Sequence, residues 1–418
     1  MLGRRAMRVL ILSQYYWPEP IPKPVELAEA LRRAGDDVTV ITGLPNYPSG
    51  RLYPGYRLRL LERENVNEVR VLRTFEYPYH GTRALGRIAN YLSFMLSALL
   101  GALFAPKIDV IYVWHPPLTV GVAAWLIARL RRIPFVYDVQ DIWPEAAVLS
   151  GILRPGRVVR WLSRLERFVY RRADHLLVVT EGARQNLISK GVPPAKVSVM
   201  PHWFDEKVFR PEAATARTAV RAAHGWQERF VVLFAGNLGL VQGLETVVRA
   251  AEVLPGDATI LIVLVGDGSD KPRLQELVSS LKLGTRVQFL ERQPLQQMPE
   301  LMAAADCLLV HLKHSELSNY VIPTKTLAYL AGAQPILMAM RGAAADLVRE
   351  AGAGLVIDPE NPSALASGML ELANLSAERR SAMGRSGRDY LERHLSREVI
   401  LPRYRAMLAR LIGGRSNA

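Results

Sequence analysis

The chain contains one cysteine, Cys307, so no disulfide can form within it, which fits a reducing compartment. Cys307 lies in the apolar run Asp306-Cys307-Leu308-Leu309-Val310 and reads as a small core residue rather than a nucleophile. No zinc-finger, RNP-like or KH-like motif is present, so charge alone speaks for a nucleic-acid partner and none is expected. No G-x-G-x-x-G follows a strand-like run, which leaves an NAD-dependent oxidoreductase without its phosphate-binding turn. Low-complexity tracts and short internal repeats are absent. The first apolar run, Val9-Leu10-Ile11-Leu12 behind Arg4 and Arg5, is too short for a signal peptide and reads as a buried first strand. The true start is left open between Met1 and Met7. Acidic residues are in deficit, 39 against 53 Lys/Arg, for a formal charge of +14. Residues 1–200 hold 28 basic against 16 acidic residues, and the remainder 25 against 23. The first half therefore carries the basic surface, which suits an anionic membrane or a phosphorylated substrate.

At 418 residues, half of them hydrophobic, the chain is long enough for two domains. In the first half, strand-like runs at Arg8–Ser13, Val38–Thr42, Val69–Arg73, Val110–Val113, Phe135–Asp138 and Leu176–Val179 alternate with helical stretches, among them Pro24–Ala34 ended by Gly35. The second half repeats the alternation, with strands at Phe230–Ala235, Thr259–Val265, Val287–Phe289, Cys307–Val310, Pro335–Met338 and Gly354–Ile357. Helices are expected at Leu244–Val253, Lys271–Leu281 and Met298–Ala305. This is the pattern of two parallel, helix-covered sheets, an α/β fold. The division falls between Phe204 and Trp226: one domain over 1–205, a linker over 206–225 that includes Arg210-Pro211-Glu212-Ala213-Ala214-Thr215, a second domain over 226–394, and a basic helical segment with a polar tail over 395–418. Ligands of such sheets sit beyond the strands' C-terminal ends, and two similar domains invite a cleft between them.

The segment from Val321 to Ile336 carries the clearest chemistry. Pro323 is placed to open a helix, where its missing N–H is no loss, and Thr324 can cap or begin the first turn. Free N–H groups there form an anion site, to which Lys325 adds a full positive charge. The plain alternative is a capped surface helix with an exposed lysine. Two further segments bear on membranes. Residues 88–105 are apolar apart from Asn90, Ser93 and Ser97 and are flanked by Arg87 and Lys107. That length is marginal for a span of about 20 residues, and a buried helix or one lying in the membrane surface fits better. Arg157, Arg160, Arg164, Arg167 and Arg171 recur at helical spacing, giving either a solvated outer face over a core stripe or a face for anionic lipid.

Several segments share an order with a known family: Tyr15-Tyr16-Trp17-Pro18-Glu19, Leu44-Pro45-Asn46-Tyr47-Pro48, Tyr112-Val113-Trp114-His115-Pro116-Pro117, and Tyr137-Asp138-Val139-Gln140-Asp141-Ile142-Trp143-Pro144-Glu145. Gly236-Asn237-Leu238-Gly239-Leu240-Val241-Gln242-Gly243-Leu244, Val265-Gly266-Asp267-Gly268 and Ile322-Pro323-Thr324-Lys325 with Tyr329-Leu330-Ala331 continue it. With these the chain resembles, over 7–410, the retaining family 4 glycosyltransferases of GT-B architecture, two Rossmann-like domains facing a central cleft. The branch it most resembles assembles bacterial exopolysaccharide, colanic acid, O-antigen or lipopolysaccharide. The resemblance implies hexosyl transfer with retention, an acceptor-binding first domain, a nucleotide-sugar-binding second domain and no required metal or other cofactor. It implies a UDP- or GDP-linked donor, a lipid-linked saccharide acceptor and a cytoplasmic protein held at the inner membrane face.

The same resemblance assigns residues. His115 matches the family histidine near the donor sugar; the plain reading is a loop histidine. Gly236, Asn237, Gln242, Gly266, Tyr320, Pro323, Thr324 and Lys325 fall at donor positions, with Lys325 and His115 as the catalytic pair. Asp138, Asp141 and Glu145 either orient acceptor hydroxyls or, for the last two, cap a helix. Departures are informative. Tyr320 and Ala328 stand where many members carry two glutamates eight positions apart. Asn237 and Gln242 replace the usual Arg and Lys on the diphosphate, which makes Lys325 the expected principal cation. Pro20-Ile21-Pro22-Lys23-Pro24 replaces a glycine-rich loop, with Lys23 as a side-chain substitute on the acceptor side. Asp267 reads equally as a turn residue or a ligand. Two other classes remain open: a nucleotide-sugar 2-epimerase on the same scaffold, for which no paired carboxylates are evident, and a non-catalytic nucleotide-sugar-binding partner in an assembly complex, motivated by the missing glutamates.

Overall fold

A computed structural model describes residues 6–81, 83–149, 153–209 and 214–416. Arg4, Arg5 and most of the expected connection at 210–215 lie outside the described residues. The chain divides into two compact units, Met1–Pro201 with Leu401–Ala418, and His202–Ile400.

The first unit holds strands β1 (Arg8–Ser13), β2 (Asp37–Thr42), β3 (Leu61–Val66), β4 (Val69–Thr74), β5 (Val110–Trp114), β6 (Phe135–Val139), β7 (His175–Val178) and β8 (Val197–Val199). They form one sheet in the order β3-β4-β2-β1-β5-β6-β7-β8, parallel except for β3 against β4. Every residue of β5 and β6 is buried, as expected for strands covered on both faces. β3 escaped the sequence reading because Leu61-Glu62-Arg63-Glu64-Asn65-Val66 carries charges at three successive positions and so lacks an apolar run, as suits a strand at the edge of a sheet. Asn67 and Glu68, both at positive φ, turn it back onto β4. β8 is three residues long, too short for a periodic signal.

The second unit holds β9 (Phe230–Ala235), β10 (Ile260–Val265), β11 (Val287–Leu290), β12 (Cys307–His311), β13 (Ile336–Ala339) and β14 (Gly354–Ile357). Their order is β11-β10-β9-β12-β13-β14, parallel throughout. Strand alternation sends Val231, Leu233 and Ala235 into one core and Phe230, Val232 and Phe234 into the other. Cys307 is buried in the second of these cores. The expected boundary shifts from 205 to 201 because Phe204 and Phe209 pack into the second unit's core.

The expected C-terminal segment is one helix, Arg397–Ser416, and it is not separate. From Leu401 it belongs to the first unit. Arg405 bonds Asp36 through Nε (2.7 Å) and Nη2 (3.0 Å), and Asp36 also accepts from the Met7 N–H at 3.0 Å. Asp36 is fully buried, so removing the guanidinium strands a carboxylate away from water. Arg405→Ala should destabilise the protein by about 3 kcal/mol, read as a lower urea midpoint. An unchanged midpoint would show that the helix end contributes nothing to the first unit.

Candidate functional site

Three loops at the C-terminal edge of the second sheet line a cavity of about 490 Å³. β9 runs into Gly236 and β10 into Gly266, both at positive φ. A Cβ on Gly266 would fall 2.0 Å from the Gly236 carbonyl oxygen, so the two loops meet backbone to backbone and tolerate no side chain there. Gly236, Asn237, Gly266, Asp267, Arg292 and Lys325 are among the lining residues. Asp267 Oδ1 accepts from the Gly268 N–H at 2.8 Å, so it shapes its own turn while also facing the cavity.

Lys325 enters from the helix Thr324–Ala331, whose N-cap residue is Pro323. No side chain caps this helix. Tyr329, one turn on, is fully buried and accepts from the Ala235 N–H at 2.9 Å, tying the helix to β9. The Lys325 ammonium donates to Gln242 Oε1 at 2.8 Å and sits 3.7 Å from the centre of the Phe234 ring. Among the described residues no carboxylate pairs with it. Burial lowers its pKa from 10.5 to about 7.

Gln242 is held from both ends. Its carbonyl accepts from His311 Nδ1 at 2.6 Å, while His311 Nε2 accepts from the Glu360 N–H at 3.4 Å. These partners place the ring proton on Nδ1, and burial lowers the pKa of His311. His311 was missed in the sequence; its only local signal is a polar residue closing the apolar run of β12. Arg292 was also missed, and it amends the expectation that Lys325 is the main cation, because two cations line the cavity. Tyr320, Pro323 and Thr324, expected at the donor, lie outside the lining, as does Gln242, which reaches the site through Lys325.

In the first unit His115 follows β5. It is 2% exposed, its Nδ1 is buried with no partner, and its ring lies 5.6 Å from that of Tyr137. Desolvation lowers its pKa to about 3, so the imidazole is neutral at pH 7. Asp138 corrects the reading of an acceptor contact. It is 1% exposed, and its oxygens accept from Tyr112, from Tyr404 at 3.2 Å and from Gln140 at 2.7 Å. Its carboxylate therefore locks β6 to β5 and to the last helix. Glu145 opens the short helix Glu145–Leu149 and is likewise engaged, by Lys190 at 3.0 Å and Asn186 at 2.8 Å. Asp141 stays available: burial raises its pKa, and no described group bonds its carboxylate. Lys23 sits, half-buried, in the first turn of the helix Pro22–Arg33, which begins two residues before the expected start because Pro22 fills its first position.

A buried polar cluster at the ends of β1, β2 and β4 was not foreseen. Glu76 Oε1 accepts from Gln14 (2.8 Å), Asn46 (3.0 Å) and Asn90 (2.6 Å). Its Oε2 is buried without a partner, as are Gln14 Oε1 and Asn46 Oδ1. Desolvation raises its pKa to about 8. Glu19 Oε1 accepts from the N–H groups of Asn46 (2.9 Å) and Tyr47 (2.8 Å), and its Oε2 from that of Tyr16 (3.1 Å). Glu19 and Asn46 stood in aromatic, proline-rich segments, which was the available signal.

Residues 24–203 match the family model for a glycosyl transferase 4-like domain and residues 216–390 that for glycosyl transferases group 1. The chain is similar to WcaI of Escherichia coli K12, named for glycosyl transfer in colanic acid biosynthesis: 27% identical over 416 residues, 95% of this chain and 98% of WcaI. WbjE of Pseudomonas aeruginosa, named for glycosyl transfer, is 27% identical over 287 residues, 66% of this chain and 68% of its own length. The solved structure of HepE from Anabaena in complex with UDP has a TM-score of 0.71 at 17% identity, covering 96% of this chain and 100% of HepE. At that identity the likeness is one of fold.

The lysine yields a pH signature. Between pH 7 and 10.5 the unfolded chain binds a proton at Lys325 that the folded chain lacks, so stability rises with pH across that window. Below it both states are protonated and the full burial cost remains. Lys325→Met should raise the melting temperature of the ligand-free protein most at pH about 6, with the gain shrinking towards pH about 10. A gain that ignores pH would mean that the ammonium is well solvated.

Proposed function

The chain belongs to the glycosyltransferases built from a 4-like and a group 1 domain, and on that premise we propose that it moves a sugar from a nucleotide-sugar donor to a lipid-linked saccharide in cell-surface polysaccharide assembly. The observation that carries the donor half is the Lys325 ammonium, set beside a glycine-edged cavity with no carboxylate partner among the described residues. A buried cation without a counterion is costly. A diphosphate supplies two or more negative charges and accepts from ammonium, guanidinium and backbone N–H alike. The polysaccharide context is drawn from the names of the relatives, WcaI above all.

In this reading the bond from the sugar's anomeric carbon to the diphosphate oxygen breaks, and the nucleoside diphosphate leaves with the bonding pair. The acceptor hydroxyl oxygen forms the new bond on the same face, and its proton passes to a donor phosphate oxygen, giving retention without a side-chain base. Lys325 and Arg292 neutralise the charge that develops on the leaving group, and the reading needs no metal. His115, neutral at pH 7, serves as a hydrogen-bond partner of a sugar hydroxyl and not as a cation. UDP is the first nucleotide to test, since HepE holds it. The acceptor places the enzyme at the inner face of the plasma membrane.

One observation favours a second reading, a nucleotide-sugar-binding partner without turnover: Ala328, where the family resemblance implies a glutamate, lines the cavity itself. Calorimetry and an assay of nucleoside diphosphate release with membrane acceptors separate the two. Lys325→Ala should weaken binding of a nucleoside diphosphate about 10- to 100-fold, the worth of one charge-assisted hydrogen bond. His115→Ala should leave that affinity unchanged and lower turnover about 100-fold. An affinity indifferent to Lys325→Ala would overturn the donor site, and tight donor binding with no release for any acceptor would favour the non-catalytic reading.

A further inference from the structure

The helix Ala84–Leu103 is apolar on both faces. Its inner face, with Phe94, Ala98 and Ala102, is buried, and Asn90 and Ser97 on the same side bond Glu76 (2.6 Å) and Thr74 (3.1 Å). These bonds make it a working part of the first unit rather than a detachable membrane span. Its outer face is a continuous stripe. Leu85 (81% exposed), Ile88 (50%), Leu92 (41%), Leu96 (57%), Leu100 (59%) and Leu103 (71%) follow one another at spacings of three and four residues. A stripe of that span is about 27 Å long at 1.5 Å per residue. Arg87 is the one charged residue in the helix. Isolated exposed leucines need no explanation, but a contiguous row marks a protein or membrane contact.

Topology and charge decide between them. The connections β4 to β5, β5 to β6 and β6 to β7 all step the same way along the sheet. Parallel crossovers are right-handed, so their helices Ala84–Leu103, Thr119–Arg131 and Arg157–Arg172 cover one face, and each packs on the next. The last of them exposes Arg157, Arg160, Arg164, Arg167 and Arg171, with no ion pair to any of the five among the described residues. Arg164, Arg167, Arg171 and Arg172 line a hollow together with Phe168 and Lys190, and Trp161 and Val158 stand exposed between the arginines at 58% and 61%. One helical layer thus presents leucines at one end and unpaired guanidinium groups with an exposed indole at the other. Acyl chains and anionic headgroups together match that layer; a soluble partner has no need of both.

We propose that this layer docks on an anionic bilayer surface, the Ala84–Leu103 stripe lying among the acyl chains and the arginines of Arg157–Arg172 taking lipid phosphates. The proposal rests on the lipid-linked acceptor reading for its purpose, and its test uses neither donor nor acceptor, so either can fail alone. Full-length protein would be floated with vesicles of phosphatidylcholine, or of phosphatidylcholine mixed with phosphatidylglycerol. Binding should require phosphatidylglycerol and weaken as salt is added. Leu92→Glu with Leu96→Glu, and separately Arg164→Glu with Arg167→Glu, should each cut the partition coefficient by at least about tenfold, while circular dichroism and nucleoside diphosphate affinity stay as in the parent. Four outcomes overturn it: no vesicle binding by the parent, equal binding to both lipid mixtures, binding unaffected by either double substitution, or a leucine-dependent oligomer that ignores vesicles, which would make the stripe a protein interface. Should one double variant misfold, Leu100→Gln or Arg160→Gln replaces it with the same expected direction.

Discussion

In the second unit the Lys325 ammonium sits 3.7 Å from the Phe234 ring centre and donates to the uncharged Gln242 amide oxygen. Most of what surrounds it follows from holding that group without a carboxylate. Gln242 must present an oxygen, so its backbone is gripped by His311 Nδ1–H. Gly243, at the end of the Gln242 turn, stays a glycine because a Cβ would lie 2.9 Å from His311 and from Lys313. Gly236 keeps open the space 3.1 Å from Nζ. A glutamate in place of Gln242 would neutralise the lysine and leave Arg292 as the one uncompensated cation among the described lining residues. An amide holds the side chain in place yet keeps its charge available, as the proposed diphosphate site requires.

The first unit follows a different rule. Its strand ends carry buried carboxyl groups whose oxygens are used inside the protein: Glu19 on three backbone N–H groups, Asp138 on two tyrosines and a glutamine, Asp36 on Arg405. Such groups define loop positions with little freedom, because a buried acceptor left unmet is expensive. Glu76 is the exception, with one oxygen fully engaged and the other unmet beside two unmet amide oxygens. Its pKa of about 8 leaves it mostly protonated at pH 7. The unit therefore combines rigid loop anchors with a polar cluster whose bonding is incomplete, and His115 and Asp141 add two more side chains with unused capacity.

The two units also differ in what they show to solvent. The second is close to neutral in formal charge, whereas the first concentrates the basic excess. That excess is not spread evenly, since five arginines of one helix stand on the same face of the sheet as the leucine row. The two proposals thus fall on different units, the nucleotide-sugar site on the second and the anionic bilayer surface on the first.

Much of this was written locally. The apolar runs that became β1, β9, β10 and β12 are short and continuous, and a chain whose strands are buried on both faces must read that way. Pro323 before Thr324 and Lys325 announces a helix entrance with a cation wherever it occurs, and the order of the aromatic, proline and glycine segments identifies the family without any coordinates. Tertiary structure alone decided which side chains keep their chemistry. Asp138 and Asp141 look alike in the sequence, but a tyrosine arriving from position 404 consumes the first and no described group consumes the second. Gln242 meets Lys325 across 83 residues, Arg292 joins the same wall, and a leucine row that reads as core faces outward. Burial and pairing are properties of what shares a space after folding, and groups far apart in the chain have no local pattern that records it.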